Sequence, residues 1–166
     1  MEVRAATEAD LPAIRALFNV LIPTTTIAYR EHFATTDEIA TWFAAQQAAG
    51  HPVLVADDAG KVVGYATYGT FRGGERFPGY RHTAELTIHV DGACHGRGVG
   101  RALIDALFDA ARERDMHVLV AGVDATNEAS IEFHRRLGFV ETARMPEVGI
   151  KFGQWLTLVL MQRTVE

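Results

Sequence analysis

A chain of 166 residues with 48% hydrophobic content holds one sizeable core and is too short for two independent ones, so a single domain spanning 1–166 is expected. The formal charge is −5 and the sixteen Lys and Arg are scattered, which excludes the basic stripe that nucleic-acid binding needs. No run approaches ~18 apolar residues, Met1-Glu-Val-Arg4 lacks the opening of a signal peptide, and the single Cys94 has no internal partner, so a cytoplasmic chain off the membrane is expected.

In chain order, Val3 to Ala6 reads as a short strand, and Leu11, Ile14, Phe18 and Leu21 form one stripe of a helix over 10–21 with Pro12 in its first turn. Thr35 with Glu38 has the spacing of a capping box, and Ile39, Trp42 and Phe43 give the second helix an apolar face ending near Ala49. Val53 to Ala56 and Val62 to Thr70 flank Asp57-Asp-Ala-Gly60 and predict a hairpin. A loop over 71–82 follows. The strand over 84–90 sets Leu86, Ile88 and Val90 on one face and Glu85, Thr87 and His89 on the other, turning three polar side chains toward a cleft or water. Leu103, Ile104, Leu107, Phe108 and Ala111 make the buried stripe of a helix from Gly100 to about Arg114, with Arg101, Asp105 and Asp109 outside. A strand over 117–123, a helix between Asn127 and Gly138, and strands over 139–144 and 155–161 complete the pattern.

The segment from Glu85 to Leu103 therefore reads as strand, glycine loop and helix, an arrangement that aims unpaired backbone N–H groups at an anion, best a pyrophosphate. A nucleoside-triphosphate loop would end in Gly-Lys-Ser/Thr, whereas this one has Gly100-Arg-Ala102. A dinucleotide fingerprint needs glycine at its sixth position, which from Gly96 or Gly98 is Arg101 or Leu103. What remains is Arg/Gln-x-x-Gly-x-Gly/Ala, standing here as His95-Gly-Arg-Gly-Val-Gly100.

With that loop the chain resembles the GNAT superfamily of N-acetyltransferases. Asn127-Glu-Ala-Ser-Ile-Glu-Phe-His-Arg-Arg-Leu-Gly-Phe139 is similar to the superfamily's Asn-x-x-Ala/Ser…Tyr-x-x-x-Gly-Phe segment, with His134 in the tyrosine position. Within the superfamily it most resembles the phosphinothricin and methionine sulfoximine N-acetyltransferase group, over nearly the whole chain. The shared pieces are Arg4-Ala-Ala-Thr-Glu-Ala-Asp-Leu-Pro12, Thr24-Thr-Thr26, Trp42-Phe43, Gly64-Tyr-Ala-Thr-Tyr-Gly69, Tyr80-Arg-His-Thr-Ala-Glu85 and Lys151-Phe-Gly-Gln-Trp155. The loop Phe71-Arg-Gly-Gly-Glu-Arg-Phe-Pro-Gly-Tyr80, with two glycines and Glu75, and Gln154 and Thr157 depart from that group.

The resemblance implies a mixed α/β GNAT fold, a mostly antiparallel sheet splayed at the acetyl-CoA site with helices on both faces. It implies acetyl-CoA as co-substrate: the pyrophosphate on His95, Gly96, Arg97, Gly98, Val99, Gly100 and Arg101, the pantetheine on the backbone of Ile88, His89 and Val90, and Asn127 and Ser130 beside its arm. An ammonium nitrogen has no lone pair, so a base is required; the group's catalytic glutamate falls at Glu85, acting directly or through water, and His134 is the implied acid for the departing thiolate. Arg72 and Lys151 are the implied partners of the acceptor's carboxylate, with Thr26, Phe33 and Tyr80 shaping the remaining pocket. No metal site is expected, because the seven histidines lack tight spacing with acidic or cysteine companions. The expected activity is acetylation of the amine of a small amino-acid-like compound such as phosphinothricin or methionine sulfoximine or sulfone, by a homodimer. Acetylation of another small amine or an ordinary amino acid is the rival activity, and a CoA-binding sensor without turnover is the rival of another class.

Overall fold

The computed structural model describes the backbone of residues 1–166 and every side chain except that of Glu75. Strands β1 (Glu2–Ala5), β2 (Val53–Asp58), β3 (Lys61–Thr70), β4 (Thr83–Val90), β5 (Val118–Asp124), β6 (Val140–Lys151) and β7 (Gln154–Thr164) form one sheet in the order β1-β2-β3-β4-β5-β7-β6. Only β4 and β5 run parallel, joined through helix α3 (Val99–Arg112); every other neighbouring pair is antiparallel.

The alternation along the strands divides the core between the two faces. Ala56, Ala66, Tyr68, Leu86, Leu119 and Ala121 pack on the Leu103, Ile104, Leu107, Phe108 and Ala111 stripe of α3. Helix α4 (Glu128–Arg136) joins that side through Ile131. Val53, Val55 and Tyr65 turn the other way, onto Ile14 of α1 (Leu11–Asn19) and Phe43 of α2 (Thr36–Ala48). The capping box holds as expected: Glu38 N donates to Thr35 Oγ1 at 3.2 Å while Glu38 Oε2 accepts from Thr35 N at 2.8 Å.

The ladder between β4 and β5 is short. It runs from Thr83–Val118 to Leu86–Ala121 and stops, while β4 stays with β3 as far as Val90–Gly64 and β5 stays with β7 as far as Asp124–Leu158. Each strand follows its outer neighbour, so the sheet splays in its middle and the inner edges of Thr87–Val90 and Gly122–Asp124 no longer pair with each other.

The strand expected over 139–144 extends to Lys151, and the last strand runs from Gln154 to Thr164. Pro146 and Gly149 obscured this in the sequence. Both fall in or beside an irregularity between Met145 and Gly149 on the outermost strand, where Pro costs no ladder bond and neither face is covered along most of its length, so burial does not alternate. Phe152 (φ 51°) and Gly153 (φ 70°) then make the tight turn into β7.

Candidate active site

Glu85 projects from the middle of the sheet, paired with Gly69 on β3 and Val120 on β5, one residue before the β4–β5 ladder ends. Its face also carries Thr87 and His89, the α1 side of the sheet; His89 sits edge-on to Phe18 at 5.9 Å and tilted against Tyr65 at 5.3 Å. Burial pushes the His89 imidazole down to about 4, so it is neutral near pH 7. The Glu85 side chain is accessible, yet the surrounding protein desolvates its carboxyl enough to raise the pKa. Among the described residues no cation pairs with it. Gly122, the first residue of β5 beyond the ladder, leaves room for it: a Cβ there would stand 3.2 Å from Glu85 Oε1.

Beyond β4, Asp91 accepts from Ala93 N at 3.0 Å and starts a turn that leads through His95–Gly98 into α3. Gly96 (φ 74°) and Gly98 (φ 82°) adopt the left-handed conformation that L side chains disfavour, and a Cβ on either would meet nothing within 4 Å. The glycines therefore set the backbone path. Gly98 is the N-cap and offers no side chain, so the first amides of α3 face outward without an intrahelical or side-chain acceptor. The side chain of Val99 is buried in the core, which leaves only its N–H for a ligand. His95 folds back and donates from Nε2 to Val90 O at 3.2 Å, pinning the loop to the end of β4. Arg97 pairs with Asp58 at 3.3 Å and Arg101 with Asp105 at 3.5 Å, both at the surface.

Helix α4 closes the other side of the splay. A Cβ on Gly100 would lie 3.0 Å from the Phe133 ring and 3.8 Å from Val90, so the β4 end, the loop and α4 converge. Asn127 caps α4 by accepting from Ser130 N at 3.2 Å. His134, 3% exposed, donates from Nδ1 to Ser130 O at 2.8 Å; a carbonyl only accepts, so Nδ1 carries the proton and the buried Nε2 is left as an acceptor without a partner. Desolvation lowers the pKa of this ring. In this arrangement the one proton of the neutral ring is engaged by Ser130 O.

The expected acceptor residues fall into two groups. Arg72 lies 5.8 Å over the Tyr80 ring, with Phe71 edge-on to Tyr80 at 5.6 Å, on the loop leading into the Glu85 strand. Arg72 is exposed and, among the described residues, has no acidic partner; Glu75, in the same loop, has a side chain outside the described set. Thr26 belongs to the second group, its Oγ1 3.4 Å from Thr126 Oγ1, whereas Phe33 on the same segment is exposed. Lys151 is held within the protein. It is 1% exposed and donates to Thr25 O at 2.7 Å and Ala28 O at 2.8 Å, so it is not an open cation awaiting a carboxylate.

Three neighbours went unnoticed in the sequence. Asp124, 4% exposed, closes β5 on the same face as Glu85 and Gly122; its Oδ1 accepts from Thr126 N and Oγ1, and its Oδ2 has no partner. Tyr29 donates to Thr157 O at 3.3 Å, and burial together with the nearby Asp124 carboxylate pushes its hydroxyl up to about 12. Gly122 is the third. None lies in a motif; strand parity could have put Asp124 and Gly122 on the Glu85 face had the β4–β5 pairing been known.

No group of three His, Cys, Asp or Glu among the described residues could hold a metal. Comparison with known proteins agrees with this geometry. The chain is 43% identical over 162 residues to the L-amino acid N-acyltransferase MnaT of Escherichia coli, covering 98% of this chain and 92% of that protein. It is equally similar, at 43% over 162 residues and 98% and 93% coverage, to the L-methionine sulfoximine/L-methionine sulfone acetyltransferase of Salmonella typhimurium. The structure of yncA, a putative acetyltransferase from Salmonella typhimurium with its cofactor acetyl-CoA, superposes with a TM-score of 0.93 at 41% identity, covering 100% of this chain and 94% of that one. Residues 14–139 match the Acetyltransferase (GNAT) family, and with the splayed sheet, the glycine loop and α4 in the family's order, the chain belongs to it and is an acyltransferase.

Proposed function

We propose that the protein transfers an acetyl group from acetyl-CoA directly to the amine of a small amino-acid-like compound, with methionine sulfoximine, methionine sulfone and phosphinothricin as leading acceptors. The observation that carries this reading is the end of the β4–β5 ladder one residue after Glu85, with the open amides of α3 at the far end of the same strand. The relatives' names support the acceptor class.

Loop residues 96–101 hold the pyrophosphate through backbone N–H groups, and the unpaired inner edge of Ile88–Val90 offers the pantetheine amides the bonds a neighbouring strand would have made. Asn127 and Ser130 flank that arm. When bound, acetyl-CoA supplies a thioester carbonyl open to attack. Glu85 takes a proton from the acceptor's ammonium, directly or through one water, and its raised pKa narrows the gap to the amine. The departing thiolate requires no stored proton from His134, since an ordinary thiol pKa of ~8.5 leaves the anion tolerable in water. Arg72, exposed beside Tyr80, is the available partner for an acceptor carboxylate.

Release of free thiol from acetyl-CoA, measured across a panel of the three leading acceptors, ordinary amino acids and simple amines, tests this. Turnover on the amino-acid-like members is expected. Acetyl-CoA binding without turnover on any amine would make the protein a sensor, and absence of acetyl-CoA affinity would refute both readings. A homodimer belongs to the same proposal, supported by the exposed Met145, Val148, Ile150 and Trp155 on the edge hairpin β6–β7; light scattering at the monomer mass would count against it.

A further inference from the structure

Residues 20–35 link α1 to α2 with turns and bends alone, and long connections of that kind are usually functional. The base of the segment is closed by Asn19, which donates from Nδ2 to Ala34 O at 3.0 Å and accepts from Ala34 N at 2.8 Å. Its far side is docked on the β6–β7 hairpin. Lys151 Nζ donates to Thr25 O at 2.7 Å and Ala28 O at 2.8 Å, Phe152 N donates to Glu31 Oε1 at 2.8 Å, and Tyr29 donates to Thr157 O at 3.3 Å. The Tyr29 ring lies against the bare Cα of Gly149, where a Cβ would fall 2.6 Å from two ring carbons.

Lys151 is an unusual anchor. Lysine is almost never fully buried without a partner charge, and this one is 1% exposed; no carboxylate lies within salt-bridge distance among the described residues, the charge that favours its ammonium being Glu31 of the held segment, and the Phe152 ring lies 4.9 Å from Nζ. Its hydrogen-bond partners are two carbonyls of a segment that has no ladder of its own. The same segment brings Thr26 to Thr126 and Tyr29 to Asp124 at the open end of β5, on the face that carries Glu85.

We propose that Lys151, with the Phe152–Gly153 turn and Gly149, forms a clamp that fixes residues 25–31 as one wall of the acceptor pocket, making Lys151 a positioning residue that does not touch the acceptor's carboxylate. The proposal rests on the acceptor reading above, and the clamp itself can be measured without any acceptor. A charge whose partners are loop carbonyls acts through the loop; a charge reserved for a carboxylate would be reachable from the cleft. Displacement of a pocket wall by about 1 Å is enough to cost on the order of a hundredfold in rate.

The test uses Lys151→Met and Gly149→Ala in the full chain. Amide hydrogen exchange over 25–31, measured without ligands, accelerates in both variants. In turnover, kcat/KM is compared for two acceptors differing only in the α-carboxylate, methionine sulfone and 3-(methylsulfonyl)propylamine, taken from the linear range where either is slow. Lys151→Met lowers both by the same factor, roughly tenfold to a hundredfold, and leaves the acetyl-CoA KM unchanged. A loss confined to methionine sulfone, with exchange over 25–31 as in wild type, would overturn the clamp and make Lys151 a carboxylate ligand. Should Lys151→Met not fold, Gly149→Ala decides, since it keeps the lysine: wild-type exchange and wild-type kinetics in that variant refute the proposal. If the wild type acetylates neither amine, the acceptor reading fails, and the exchange measurement still decides the clamp.

Discussion

Replacing Glu85 by Gln retains the size of the side chain and removes the base, with no ion pair broken among the described residues. A positioned general base is worth roughly 100- to 10,000-fold, or about 3–5 kcal/mol of transition-state stabilisation at 1.36 kcal/mol per decade, so kcat should fall by that factor. The acetyl-CoA dissociation constant should stay within about twofold, because the cradle is built from backbone at the other end of β4. Wild-type kcat/KM should rise with pH through the Glu85 pKa, which desolvation places above the ordinary 4.5, and the variant should lack that step. Stability moves the opposite way from activity. A carboxyl whose folded pKa is raised is better tolerated protonated, so its ionised form weakens the fold at neutral pH, and removing the charge should leave Tm at pH 7 unchanged or slightly higher. Thiol release between pH 5.5 and 9, titration with acetyl-CoA and thermal melts of both proteins give all four readouts. Full activity of the variant across that range would remove Glu85 as the base; a large drop in Tm with loss of acetyl-CoA affinity would show the residue to be structural.

The donor side has an equally direct probe. Gly98→Glu places a side chain at φ 82° and a negative charge before the first amides of α3, so acetyl-CoA affinity should be lost while the fold persists, and wild-type affinity by titration would count against the cradle. His89 sets an acid limit. Its imidazole is held at about 4 against an ordinary 6.5, so it contributes stability in full above pH 6.5 and loses it as pH falls toward 4, by about 3 kcal/mol at 1.36 kcal/mol per unit. Urea midpoints at pH 7 and 4.5 should differ less in His89→Phe than in the wild type, and equal differences would refute the assignment.

The elements legible in the sequence were those whose residues declare their own environment. The α3 stripe, the Thr35–Glu38 capping box and the Asp57–Gly60 hairpin each follow from local periodicity or turn chemistry, and each stands within a residue or two of its expected bounds. The β6–β7 hairpin was half hidden. Its outer strand has no buried face to impose alternation, and Pro146, which locally signals a break, is absorbed by an irregular register on a strand with an open edge. The splay was invisible to periodicity, since it depends on how far β4 and β5 follow their outer neighbours, a property of pairing partners distant in the chain.

The same distinction divides the candidate site. The proposed donor half is backbone geometry, whose signature is glycine at fixed offsets before a helix, and the loop and helices expected from the His95–Arg101 and Asn127–Phe139 segments stand where that signature puts them. The proposed acceptor half draws on side chains brought together from the 20–35 segment, β5 and the edge hairpin, whose residues have no common spacing. Lys151 shows the consequence. For a cation near the chain's end, sequence reports the charge and not which neighbours take up its donors. Thr25 and Ala28 consume two through their carbonyls, and carbonyls belong to every residue, so no composition could have announced them. On the proposed clamp, the shape of the acceptor wall depends on how residues 25–31 dock as well as on which side chains they carry. Substitutions at Gly149 or Glu31, neither placed against the acceptor, should lower kcat/KM for amine acceptors with and without an α-carboxylate alike while leaving the acetyl-CoA KM intact.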